Sequence, residues 1–95
     1  MDVDLARQQW QNGERRVAAN PSLGAQVDLV VAELRKRVGQ TFTLSELADA
    51  YDGADDWARD AIDLADPDAP PPLEASTVTD AAFHRYARGA TDYIP

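Results

Sequence analysis

PSLGAQVDLVVAELRKRVG, residues 21–39, decides the fold class. Within it Leu23, Val27, Val30, Val31, Leu34 and Val38 recur at spacings of 4, 3, 1, 3 and 4. That rhythm lines one face of a helix, whereas a half-buried strand would alternate apolar and polar residues. Asn20 is a good N-cap residue and Pro21 suits a first helical position. Gly39 has the character of a C-terminal cap. The stretch predicts a helix over 21–38.

The pattern continues on the N-terminal side. Val3, Ala6, Trp10 and Val17 share a stripe at helical spacing, so residues 3–19 read as a first helix. Gly13 sits on that stripe, where a glycine weakens the helix but lets a neighbour approach closely. The short connection at residue 20 predicts antiparallel pairing of the first two helices.

Toward the C-terminus, Phe42 reads as a core anchor in a brief extended turn. Thr43-Leu44-Ser45-Glu46 has the form of a capping box. It opens a helix over 44–51 with Leu44, Leu47, Ala48 and Tyr51 inward, and Asp52-Gly53 breaks it. A fourth helix, 55–65, turns Trp57, Ala58, Ala61, Ile62 and Ala65 inward. Asp66 to Pro72 carries four prolines and reads as a stiff linker over 66–73, or as a ligand for a proline-recognising groove. A last helix over 77–88 follows, with Thr77 and Asp80 spaced for a second capping box. The tail from Ala90 to Pro95 ends in apolar groups that fold back or dock elsewhere.

Composition agrees with this plan. Seventeen of 95 residues are alanine, the best helix former and a poor strand former. The expected fold is all-α: one domain, a compact bundle of four or five short helices. The chain has no cysteine, which removes disulfides, thiolate metal sites and thiol nucleophiles. No stretch is long and apolar enough to span a membrane, and Met1-Asp2-Val3-Asp4 lacks the start of a signal peptide. A cytoplasmic protein without membrane contact is expected.

The net charge of −8 is unevenly placed. Residues 1–40 carry six basic and five acidic side chains, whereas residues 41–95 carry three basic and twelve acidic ones. The second half repels phosphate backbones and anionic lipids and attracts a basic surface. Eight aspartates fall between Asp49 and Asp68, opposed only by Arg59. Asp52, Asp56, Asp60 and Asp63 lie close to one helical face, where each like-charged pair costs about 0.2–0.5 kcal/mol. Asp55 and Asp56 recover part of that at a helix N-terminus. Such a face is solvated, paired internally with Arg15, Arg16, Arg35 or Arg37, or docked against a basic partner as a mimic of a nucleic-acid surface. It does not spell a calcium loop: with Gly53 at the sixth position, Ala48 falls first and Arg59 twelfth.

Residues 29–65 read as three helices joined by two turns. With Thr43-Leu44-Ser45-Glu46-Leu47-Ala48 opening the middle one, they resemble the core of helix-turn-helix and winged-helix domains. The resemblance implies that the helix over 55–65 would be a recognition helix. Its polar positions are Asp55, Asp56, Arg59, Asp60 and Asp63, four acids to one base, which argues against DNA contact. The phrases Trp10-Gln11-Asn12-Gly13-Glu14-Arg15-Arg16 and Asp80-Ala81-Ala82-Phe83-His84-Arg85-Tyr86-Ala87-Arg88-Gly89 resemble small uncharacterised actinobacterial all-helical proteins, a resemblance that implies no activity.

Arg35, Lys36 and Arg37 complement the dipole at the end of their helix, and Glu33 stands four residues before Arg37. His84 is the one histidine and has no nucleophile or orienting carboxylate in its motif. Arg85 and Arg88 with Tyr86 have the composition of an interface hot spot. No nucleophile, phosphate loop, metal-ligand spacing or cofactor motif is visible. The expected function is a non-enzymatic interaction module: a small acidic adaptor, subunit or regulator that binds a larger protein with a basic surface. Its candidate contacts are Asp55, Asp56, Asp60, Asp63, His84, Arg85, Tyr86, Arg88 and Tyr93. The alternative is a helix-turn-helix regulator acting on DNA or within a transcription complex.

Overall fold

A computed structural model describes residues 2–65, 68 and 72–93, with only the backbone of 72–75. Among these residues it is all-α. The helices are α1 (Val3–Ala19), α2 (Gly24–Val38), α3 (Leu44–Tyr51), α4 (Ala54–Ala65) and α5 (Pro72–Ala87), with a 3-10 turn at Pro21–Leu23.

The helix starts follow local chemistry. Asp2 caps α1, its carboxylate accepting from the amides of Asp4 and Leu5. At α3 the Thr43 hydroxyl accepts from the Glu46 amide at 3.1 Å, and the Glu46 carboxylate accepts from the Thr43 amide at 3.4 Å. That is the reciprocal pair the sequence predicts. Gly39 and Gly53 have φ of 86° and 79°, a region that favours glycine and stops α2 and the α3–α4 turn from continuing as helix.

Several expectations are corrected. Asn20 ends α1 and makes no side-chain cap on the following turn; its carboxamide accepts from the Ser22 hydroxyl instead. Pro21 therefore begins a 3-10 turn, and α2 proper starts at Gly24. The last helix begins at Pro72, not near residue 77, so Pro72 and Leu73 leave the expected linker and join α5. Pro72 takes the first helical position, where its missing N–H costs nothing. Thr77 and Asp80 are consequently mid-helix and form no capping box. The helix ends at Ala87, one residue earlier than expected. Ala65 is exposed, not inward, because α4 ends there. Of the proline-rich stretch, 66, 67 and 69–71 lie outside the described residues.

The largest correction concerns packing. α1 and α2 scarcely touch. α5 packs most extensively on α1 and next on α2, and α4 leans on both α2 and α5. Gly13 explains the α1–α5 contact: a Cβ there would collide with Asp80 Cβ and come within 2.8 Å of the Ala81 nitrogen. The glycine lets two backbones meet, and the partner is the last helix rather than the next one.

Two apolar clusters result, both drawing on α5. One gathers Ala6, Trp10, Leu34, Phe42, Leu44, Leu47 and Phe83; the other gathers Val17, Leu23, Val27, Val30, Ile62 and Val78. Phe83 is fully buried at the junction and meets the rings of Trp10, Tyr51 and Trp57 at 5.2 to 6.3 Å. The described part of the tail folds back. The Thr91 amide donates to the Phe42 carbonyl at 2.7 Å, and the Asp92 carboxylate accepts from the Leu44 amide at 2.7 Å. Asp92 thereby satisfies a free donor at the start of α3 from 48 residues away. Residues 94 and 95 lie outside the described residues. Among the described residues no helix is long and apolar enough to cross a membrane.

Candidate functional site

The outer face of α4 is the first group. Ala54, Ala58 and Ile62 are buried, which fixes the rotation of the helix and turns Asp55, Asp56, Asp60 and Asp63 outward, all exposed. At 100° per residue, Asp56, Asp60 and Asp63 fall within ~60° of one another. Asp52 is not part of this face, because it ends α3 in the preceding turn. Arg59 pairs with Asp63 at 3.8 Å. Of the arginines considered as counter-ions, Arg37 bonds Glu33 at 3.2 Å and Arg15 bonds Asn12 at 3.2 Å. Arg37 reaches α4 through the Trp57 ring, 4.7 Å from its centroid, rather than through a carboxylate. Beside the acids stands Leu64, 86% exposed, the more open of two exposed large apolar side chains among the described residues.

The end of α5 is the second group, and its members are engaged. The Arg85 guanidinium donates from Nε and Nη2 to the two Glu14 oxygens, each at 3.2 Å, and approaches Asp28 at 3.9 Å. One side chain thus joins α5 to α1 and α2. The Tyr86 hydroxyl donates to the Gly39 carbonyl at 2.6 Å, and its ring lies 5.0 Å from Phe42. Tyr93 is half-buried beneath Arg7, whose guanidinium is 5.4 Å from the ring centroid. Arg88 is exposed. His84 is half-buried; burial lowers its pKa, Glu14 opposes this, and Arg88 and Arg85 add to it.

A third group escapes a reading of the sequence. The Tyr51 hydroxyl lies against the Asp80 carboxylate in a short hydrogen bond, and 2.9 Å from the Gln9 side-chain oxygen. It ties α3 to α5 and α1. Burial pushes the Tyr51 hydroxyl well above its usual range, and the bond to Asp80 adds to this. Burial also raises the Asp80 pKa, with Asp55 contributing, while Tyr51 and Arg16 pull it down. One signal was present. Asp80 is three residues from both Thr77 and Phe83, which places it on the buried side of a helix that continues upstream.

The raised pKa of Tyr51 favours its protonated form, which donates to the Asp80 carboxylate. Among the described residues no three histidine, aspartate or glutamate side chains converge as metal ligands. Compared with protein-family models, with curated proteins and with solved structures, the chain matches none.

Proposed function

We propose that the chain is a non-enzymatic interaction module, a small acidic adaptor, subunit or regulator in the cytoplasm. On this reading the outer face of α4 docks the basic surface of a larger protein. One observation carries the proposal: four exposed aspartates share that helix with a single basic residue, and an exposed leucine borders them. Facing water, the acids repel one another. A basic partner removes that repulsion and is steered in by the field, and Leu64 supplies an apolar contact. The end of α5 has a weaker claim, because Arg85 and Tyr86 already serve intramolecular contacts. Entry of α4 into a nucleic-acid groove would set the same acids against phosphates.

Cross-linking from native lysate tests this. The chain has one lysine, so the reagent must join carboxylates to partner lysines. Links from residues 55–63 to one basic protein are expected. That protein should no longer be recovered with a variant carrying Asn at 55, 56, 60 and 63. Equal recovery with the variant contradicts the proposal, as does recovery of nucleic acid in place of protein.

A further inference from the structure

Two glycines bracket α3. Among the described residues, Gly39 and Gly53 are the only ones with positive φ. A Cβ at either would meet nothing within 4 Å, so both stand in open space. Glycines so placed absorb a large backbone rotation without a clash, which is what a hinge requires.

α3 is also the α-helix least fastened by packing. It touches α1, α4 and α5, each more sparingly than α5 touches α1. On its inner side Leu44, Leu47 and Ala48 join the cluster that contains Trp10 and Phe83. The Tyr51 ring stands edge-on to those two rings, with centroids 5.7 and 5.2 Å away.

Each end of α3 is held by a carboxylate from the C-terminal part of the chain. At its start the Asp92 carboxylate accepts from the Leu44 amide at 2.7 Å, and the Thr91 amide donates to the Phe42 carbonyl just before the helix. At its end the Asp80 carboxylate accepts from the Tyr51 hydroxyl. Water replaces such bonds at a modest net cost once the helix lifts.

We propose that α3 is a lid, hinged at Gly39 and Gly53 and latched at its two ends by Asp92 and Asp80. It opens as one unit while α1, α2 and α5 stay packed, and opening bares the sides of Trp10 and Phe83 that Tyr51 covers. The lid does not involve the outer face of α4, and its failure leaves the docking proposal untouched.

The test is amide hydrogen exchange, followed by NMR on the full ¹⁵N-labelled chain, where each amide reports the opening that exposes it. In the unmodified protein, Leu44 and Leu47 through Tyr51 are expected to share one protection factor, about tenfold or more below the slowest amides of α5. Two variants cut one latch each, and each is read at the far end of the helix. Tyr51→Phe keeps the ring and should speed exchange at Leu44 and Leu47 by about tenfold. Asp92→Ala should do the same at Ala50 and Tyr51. Val27→Ala lies in the other apolar cluster and separates lid opening from unfolding of the whole. It should speed the slowest amides of α2 and α5 by about tenfold or more and leave those of α3 unchanged. Effects confined to the end where the latch is cut mean fraying and overturn the proposal. Protection of α3 equal to that of α5 also overturns it, as do α3 amides that respond to Val27→Ala, because either means that α3 opens only with the whole molecule. The comparison of α3 with α5 needs no variant and holds whether or not a variant folds.

Discussion

The outer face of α4 and the end of α5 look equally site-like as strings of residues, and folding treats them in opposite ways. On α5, Arg85 is spent on Glu14 and Asp28, and Tyr86 on Gly39 and Phe42. On α4 the aspartates face outward, with one ion pair among the described residues, Asp63 to Arg59 at 3.8 Å. The difference lies in what stands opposite. Gly13 brings α1 against α5 and so places Glu14 within reach of Arg85. Among the described residues, the far side of α4 has no such neighbour. Whether a charged side chain is free for a partner is therefore decided by packing far away in sequence, not by its own motif.

That contrast is broken most forcefully at Gly13. Gly13→Ala adds a methyl group where the α5 backbone already stands. We expect a loss of about 1–3 kcal/mol, the usual cost of overpacking, even though alanine is the better helix former by about 1 kcal/mol. Urea denaturation measures it. A gain in stability would mean that α1 and α5 are further apart than described.

Asp80, on the same contact, responds to pH. Its folded-state pKa is raised, chiefly by burial, so its contribution is full below the ordinary carboxylate range and is lost as pH rises through the folded value. Asp80→Asn keeps an acceptor for Tyr51 without the charge. It should be more stable than the wild type at neutral pH and lose less stability between acid and neutral pH. Parallel pH curves for the two proteins would contradict the burial assigned to Asp80.

The Arg85–Glu14 bridge is a smaller effect. Both side chains are about a third exposed, so a double-mutant cycle of Arg85→Gln and Glu14→Gln should give a coupling of about 0.2–1 kcal/mol. Zero coupling would return Arg85 to the pool of free surface charges. The smallest effect has the opposite sign. Asp60→Asn relieves repulsion with Asp56 and Asp63 and should raise stability by about 0.2–0.5 kcal/mol for each pair. A loss of stability there would mean that Asp60 has an intramolecular partner.

The parts legible in sequence are those set by local periodicity and capping. The stripe from Leu23 to Val38 fixed α2, and Thr43 with Glu46 marked the start of α3 to the residue. Gly13 announced a close approach but not its partner, because proximity in sequence favoured α2 whereas the apolar face of α5 supplied the better surface. The start of α5 was hidden by prolines that discourage helix yet are tolerated in the first turn. Asp80 was misplaced for the same reason: once the helix is begun at Thr77, it looks like a cap rather than a buried carboxylate. A small notch lined by Arg7, Trp10, Gln11, His84, Ala87 and Tyr93 was not legible at all, because its walls come from the two ends of the chain.

The claim on which the functional account rests is that an outward face with this much unneutralised negative charge selects a cationic surface and rejects a polyanion. Fluorescence anisotropy of a labelled DNA duplex at low salt addresses it with the unmodified protein. The account predicts no rise in anisotropy at any protein concentration reached. A rise that collapses as salt is added, and that disappears when residues 55–63 are blocked, would contradict it.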